Sequence, residues 1–259
     1  MKAAFYTLGC KVNQYETEAM AELFADSGYE IKEFTEVADV YVINTCSVTN
    51  MGDRKSRQII RRAKKLNPNA VIAVTGCYAQ TAPDEVLAIE GVNLVLGTKD
   101  RKNIVTLVEE LNTESNINHV SDIMSNHEFE ELQIKQYSNR TRAFIKIQEG
   151  CNQFCSYCII PYARGPVRSR AKDDVVREIK ELAHNGFKEI ILVGIHVASY
   201  GVDLGDTTLE SLIMDVDKID GVERIRLSSI EPMTLNQEFI DSIKDSKKLC
   251  HHFHISLQS

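Results

Sequence analysis

The sequence predicts an α/β chain, with an N-terminal parallel-sheet α/β domain followed by an incomplete (β/α) partial barrel. Three observations carry that prediction. Apolar strand-like runs alternate with helix-like segments in both halves of the chain. A polar stretch without strong periodicity separates the two alternating regions. The second alternation stops on a strand, with no helix to cover it.

Composition sets the outer limits. The chain has 259 residues, 43% hydrophobic and 26% charged, which is globular composition and excludes disordered and fibrous classes. At roughly 100–200 residues per domain this length suggests about two domains. With 30 Lys+Arg against 37 Asp+Glu and a net charge of −7, the chain is no general nucleic-acid coat, although a local basic patch can still serve. Its longest apolar run, 190–193, is far short of the ~18 residues of a membrane span. The N-terminal apolar stretch is too short for a signal peptide. A cytoplasmic location with no membrane partner is therefore expected. In that reducing compartment seven cysteines, an odd number, point to metal binding or thiol chemistry rather than disulfides.

In the first half, strands are expected at 3–8, 40–44, 70–75 and 94–96. Helices are expected at 12–26 (Ala19, Leu23 and Phe24 inward), at 53–66 (Ile59, Ile60, Ala63 and Leu66 on one face), from Pro83, and at 101–112. Cys10, Cys46 and Cys77 each follow one of these strands. In a parallel sheet all C-terminal strand ends lie on one edge, where such folds bind ligands. Three thiols 36 and 31 residues apart in sequence can thus converge in space; the alternative is three unrelated buried cysteines.

Residues 1–112 are expected to form the first domain, 113–138 a linker that could carry short strands, and 139–259 the second domain. There, strands are expected at 143–147, 189–193, 225–228 and 253–256. Helices are expected at 171–185, 208–219 and 235–244, with Asp173 and Asp174 opening the first and Asn185-Gly186 closing it. Directly after strand 143–147 comes Cys151-Asn152-Gln153-Phe154-Cys155-Ser156-Tyr157-Cys158, a C-x3-C-x2-C motif on a loop at a strand's C-terminal end. Three thiolates can hold three irons of a [4Fe–4S] cluster and leave the fourth open to a ligand. The alternative is a zinc knuckle, which needs a fourth ligand; the next histidine, His184, falls outside the usual spacing.

This loop, with an aromatic residue before its third cysteine, resembles the signature of radical S-adenosylmethionine (SAM) enzymes. More specifically, Thr7-Leu8-Gly9-Cys10-Lys11-Val12-Asn13-Gln14-Tyr15-Glu16, Asn44-Thr45-Cys46-Ser47-Val48-Thr49 and Val74-Thr75-Gly76-Cys77-Tyr78-Ala79-Gln80 resemble the N-terminal domain of the methylthiotransferases. Cys158-Ile159-Ile160-Pro161-Tyr162-Ala163-Arg164-Gly165-Pro166, with Arg168-Ser169-Arg170, resembles their barrel entrance. The likeness spans essentially the whole chain. Around Gly9–Gln14 and Val48-Thr49-Asn50 it is greatest to the subfamily acting on N6-threonylcarbamoyladenosine in tRNA.

The resemblance implies an incomplete radical SAM (β/α) partial barrel and two [4Fe–4S] clusters. Cys151, Cys155 and Cys158 would hold the cluster that binds SAM and splits it to a radical. Cys10, Cys46 and Cys77 would hold the auxiliary cluster, which carries the sulfur to be delivered. Tyr157 would pack beside the SAM adenine, and the Gly194 backbone would lie near the SAM amino group. The implied reaction replaces the C2 hydrogen of the modified adenosine at tRNA position 37 with a methylthio group. The implied partners are tRNA and a reductant such as flavodoxin or ferredoxin.

RNA contact has a candidate of its own in the 53–66 helix, which carries seven cations in twelve residues, with Arg54, Arg57, Arg61 and Lys64 on one face. The alternative is a solvated helix face. Arg164, Arg168 and Arg170 are a second candidate. Cys250 and the histidines His196, His251, His252 and His254 receive no role. Family members continue past the point where this sequence stops, at Ile255-Ser256-Leu257-Gln258-Ser259, so the chain reads as C-terminally truncated. Two rival readings follow: a non-catalytic iron–sulfur RNA-binding form, and a radical SAM methylthiotransferase with another target such as a ribosomal protein.

Overall fold

Every second residue of the N-terminal strands is buried on one sheet face and its neighbours on the other, so helices must cover both faces. A computed structural model describes residues 1–47, 50–111, 116–134 and 142–256. Val48 and Thr49 of the motif quoted above, residues 112–115 and 135–141 at the two ends of the expected linker, and 257–259 lie outside the described residues.

The first sheet is built from β1 (Lys2–Thr7), β2 (Glu30–Lys32), β3 (Val40–Thr45), β4 (Val71–Gly76), β5 (Leu94–Leu96) and β6 (Ile117–His119), in the order β2-β1-β3-β4-β5-β6. Every pairing in it is parallel. Helices α2 (Asn50–Leu66), α3 (Cys77–Thr81) and α4 (Pro83–Leu87) cover one face. There Ile59, Ile60 and Ala63 pack on Ala4, Tyr41, Ile43, Ile72 and Val74. Helices α1 (Lys11–Asp26) and α5 (Ile104–Glu109) cover the other, where Met20, Phe24, Ile104 and Val108 meet Ala3, Val40, Val42 and Ala73. The expected inward stripes of α1 and α2 hold at Ala19, Phe24, Ile59, Ile60 and Ala63, while Leu23 and Leu66 are half-buried.

Contacts group residues 1–126, 130–132 and 153–165 into one unit, and 127–129, 133–152 and 166–259 into another. The short helix α6 (Ile160–Arg164) belongs to the first. The second contains β7 (Arg142–Glu149), β8 (Arg168–Ser169), β9 (Glu189–Gly194) and β10 (Arg224–Leu227), in the order β10-β9-β7-β8. The β10/β9 and β9/β7 pairings are parallel, and β8 is antiparallel to β7. Apolar faces of α7 (Lys172–His184), α8 (Leu209–Asp217) and α9 (Gln237–Ile243) complete this part, with Val175, Ile179, Leu212, Ile213 and Phe239 buried. It is a partial (β/α) barrel sheet.

Several expectations need correction. The helix expected over 101–112 begins as a 3-10 turn, Arg101–Asn103, and is α-helical only over Ile104–Glu109. No strand forms at 253–256. Residues 249–255 meet the β10 region through isolated parallel bridges, Ile225 to Leu249 and Ile230 to Ile255. Strands β2, β6 and β8 were not expected as such. β6 falls inside the stretch expected to connect the domains.

The β4–α3 junction is a tight turn in the first sheet. Gly76 has φ +95°, and a Cβ there would lie 2.4 Å from both the Thr45 carbonyl oxygen and Asn44 Oδ1. Gly76→Ala should therefore lower stability by roughly 2–4 kcal/mol, overpacking added to left-handed strain. Denaturant unfolding checks this, and an unchanged midpoint would refute the tight-junction reading.

Candidate iron–sulfur site

Three neighbouring strands end in the three N-terminal cysteines. Cys46 follows β3 directly, Cys77 follows β4 directly, and Cys10 stands three residues beyond β1. Because β1, β3 and β4 are adjacent and parallel, their ends share an edge at the usual interstrand spacing of about 4.8 Å. The turn after β1 is held against the end of β3: a Cβ on Gly9, at φ +103°, would lie 2.9 Å from Cys46 Cβ and 3.0 Å from its Sγ.

Buried amides tie this edge together. Asn13 Nδ2 donates to the Leu8 carbonyl at 2.8 Å and to the Thr45 carbonyl at 2.9 Å. Asn44 Nδ2 donates to the Asn13 carbonyl at 3.0 Å and to Thr17 Oγ1 at 3.2 Å. Thr45 Oγ1 donates to the Thr75 carbonyl at 2.6 Å. Asn13, Asn44 and Thr45 are all buried, so each backbone group they satisfy would otherwise be a desolvation penalty.

The cysteines themselves differ in access. Cys10 is exposed, Cys46 half-buried and Cys77 buried, and none of the seven forms a disulfide. Burial pushes the Cys77 thiol up, the Arg164 guanidinium pulls it the other way, and the Cys10 thiol adds a smaller upward push. Arg164, on α6, places Nε 3.3 Å from Cys77 Sγ. Its Nη2 donates to Asn13 Oδ1 at 2.6 Å, and Nη1 and Nη2 grip Glu16 at 2.6 and 3.1 Å. Glu16 also pairs with Arg101 at 2.6 Å, and Arg101 with Glu130 at 2.8 Å. Two arginines and two glutamates thus balance one another inside the unit, as buried charges require.

A thiol donor set of this kind suits a soft iron or zinc centre. Among the described residues, no group of three or more His, Cys, Asp or Glu side chains forms a site for a single metal ion. Ligands of one ion must all come within about 2.3 Å of its centre. Cysteines of an iron–sulfur cluster bind different irons, a wider spacing that adjacent strand ends can supply. Three thiols at one sheet edge are in their chemistry compatible with such a cluster.

The second triplet lies on the loop between β7 and α6. Cys151 is half-buried, Cys155 exposed and Cys158 half-buried, and the Cys158 amide donates to the Cys155 carbonyl at 2.9 Å. Phe154 adopts a left-handed φ of +47° within it. Tyr157 is 71% exposed. Gly194 closes β9, and a Cβ there would meet Gln148 Oε1 at 2.9 Å. The buried Gln148 side chain donates to the Glu149 and Gly150 carbonyls at 2.8 and 2.7 Å and accepts from the His196 amide at 2.8 Å. It thereby fastens the start of the cysteine loop to the end of β9.

The basic helix divides. Arg54 and Arg61 are exposed. Arg57 donates to Tyr78 Oη at 2.9 Å and Glu85 at 3.0 Å, and Lys64 donates to the Pro68 carbonyl at 2.7 Å. Arg164, Arg168 and Arg170 are no RNA-contact cluster, because all three are buried. Arg168 approaches Glu149 at 3.8 Å, and Arg170 is paired with Glu178. Sequence reasoning gave Asn13, Glu16 and Gln148 no role, although Asn13 and Glu16 lie inside a motif it singled out.

Residues 2–97 match the family described as Uncharacterized protein family UPF0004, and residues 145–259 match the Radical SAM superfamily. The threonylcarbamoyladenosine tRNA methylthiotransferase MtaB of Bacillus subtilis is 51% identical over 99% of this chain and 57% of its own length. The chain is thus similar along its length to the radical SAM methylthiotransferases. The MtaB of Aquifex aeolicus is 44% identical over the whole chain and 63% of its own length, so this chain spans about three fifths of the curated relatives it matches. A solved structure of the radical S-adenosylmethionine methyltransferase TsrM from Kitasatospora setae, with cobalamin and a [4Fe-4S] cluster bound, aligns at TM-score 0.62. That alignment covers 96% of this chain and 60% of that one; at 17% identity it is a likeness of fold. The Radical SAM superfamily match implies a [4Fe–4S] cluster and SAM as cofactors. No helix among the described residues is long and apolar enough to cross a membrane.

The access pattern makes a prediction for the protein stripped of metal. Burial favours the protonated Cys77 thiol, and only the thiolate is nucleophilic. Iodoacetamide near neutral pH should modify Cys10 and Cys155 first and Cys77 last, with Cys77 labelling rising only as pH passes above the ordinary thiol range. Peptide mass spectrometry reads the order; early Cys77 labelling would contradict its burial.

Proposed function

We propose that the protein methylthiolates C2 of N6-threonylcarbamoyladenosine at position 37 of tRNA. The observation that carries this reading is the placement of Cys10, Cys46 and Cys77 at the ends of three adjacent parallel strands, in a chain that also bears the C-x3-C-x2-C loop. Identity to MtaB proteins over essentially the whole chain supports the choice of nucleoside.

An aromatic C2–H bond is too inert for side-chain acids and bases. When bound, a SAM-binding cluster would supply the radical that breaks it and an auxiliary cluster the sulfur. The chain's own residues hold and orient these groups. Cys151, Cys155 and Cys158 would hold the cluster that SAM joins, and Tyr157 and the Gly194 backbone would line the SAM site. Gln148 keeps that backbone in place by filling the space a side chain would need. Cys10, Cys46 and Cys77 bind the auxiliary cluster. Exposed Arg54 and Arg61 on α2, with Arg57 and Lys64 beside them, contact tRNA phosphates, which makes binding salt-dependent. The setting is the cytoplasm, with a reductant such as flavodoxin or ferredoxin, and residues 1–112 and 139–259 as the two domains.

The test is nucleoside mass spectrometry of tRNA from a host lacking its own enzyme. The wild-type gene should produce 2-methylthio-N6-threonylcarbamoyladenosine, and Cys10→Ala and Cys151→Ala should each abolish it. A methylthio group on a different nucleoside, or on a ribosomal protein with none on tRNA, would overturn the proposed target.

A further inference from the structure

We propose that Arg164 is a positioning residue for the auxiliary cluster, holding the Cys77 sulfur in place and stabilising negative charge on it. This inference rests on the reading of Cys10, Cys46 and Cys77 as cluster ligands. Three observations support it. Arg164 is fully buried, yet it aims Nε at a cysteine sulfur 3.3 Å away. Its other nitrogens are committed to Glu16 and Asn13, so the Nε–H direction is set by a rigid fork rather than by a flexible side chain. Asn13 in turn reaches the other two cysteines' surroundings, donating to the Thr45 carbonyl just before Cys46 and accepting from the Cys10 thiol at 3.5 Å.

The chemistry follows from charge. A sulfur that gives up its proton to bind iron becomes an anionic acceptor, and a guanidinium N–H at hydrogen-bond distance then makes a charge-assisted bond. Such outer contacts orient metal ligands, and hydrogen bonds to cluster sulfurs help set the reduction potential. Because reduction adds negative charge, a donor at Cys77 favours the reduced form and raises the potential. Arg164 also stands six residues after Cys158. The segment that supplies two ligands of the SAM-binding loop therefore also reaches the ligand set of the auxiliary cluster.

A Cys151/Cys155/Cys158→Ala form isolates the question, since it should bind about four irons, all at the N-terminal site. In that background, Arg164→Met should keep iron, lower the midpoint potential and change the electron paramagnetic resonance signal of the reduced cluster. Arg164→Lys, which keeps the charge and loses the fork, should restore the shift only in part. Arg101→Met is the structural control, because Arg101 pairs with the same Glu16; its potential should stay at the parent value. Should Arg164→Met fail to fold because the buried Glu16 carboxylate loses one of its two arginines, Arg164→Met with Glu16→Gln removes both charges and gives the same reading. An unchanged potential and spectrum in the iron-loaded Arg164 variants would overturn the proposal, as would an equal shift in Arg101→Met. Absence of iron from the parent form would instead overturn the ligand assignment on which the proposal rests.

Discussion

Adjacent parallel strands must all end on the same edge of their sheet, and the chemistry assigned to the N-terminal half depends on that constraint. β1, β3 and β4 are neighbours although their cysteines are 36 and 31 residues apart in sequence. Helix α1 returns the chain past β2 to β3, and α2 returns it to β4, so each excursion brings a thiol back to one edge. Gly9 and Gly76 allow the turns there to sit closer than any side chain would permit.

Polarity at that edge is costly, and the structure offsets the cost by pairing these groups. Asn13, Asn44, Thr45, Glu16, Arg101 and Arg164 are buried together and bonded to one another or to backbone. Removing one member of a buried ion pair typically costs about 3–5 kcal/mol, so such a network is unforgiving of partial change. It serves here to aim groups. The second unit follows the same economy, with Lys146–Glu149 and Arg170–Glu178 buried as ion pairs.

Much of this was legible in the sequence. The buried strands β1, β3, β4, β7 and β9 announced themselves as apolar runs, and each cysteine triplet was marked by its strand end or spacing. The missed strands are edge strands. Glu30-Ile31-Lys32 and Ile117-Asn118-His119 are three residues each and largely exposed, so they carry no hydrophobic pattern and owe their form to pairing with a central neighbour. Arg168-Ser169 is two residues long and pairs with β7 antiparallel. The arginines after the cysteine loop misled for a related reason. Charge alone cannot tell a buried arginine with a glutamate 148 positions away in sequence from one facing RNA.

The account stands or falls on two clusters held by two cysteine triplets. The most direct measurement is iron and acid-labile sulfide per chain after anaerobic reconstitution, for wild type and for a Cys10/Cys46/Cys77→Ala form. About eight irons falling to about four is the predicted result for two four-iron clusters. About four irons in both proteins would make the N-terminal cysteines structural, and zinc in place of iron would contradict the account altogether.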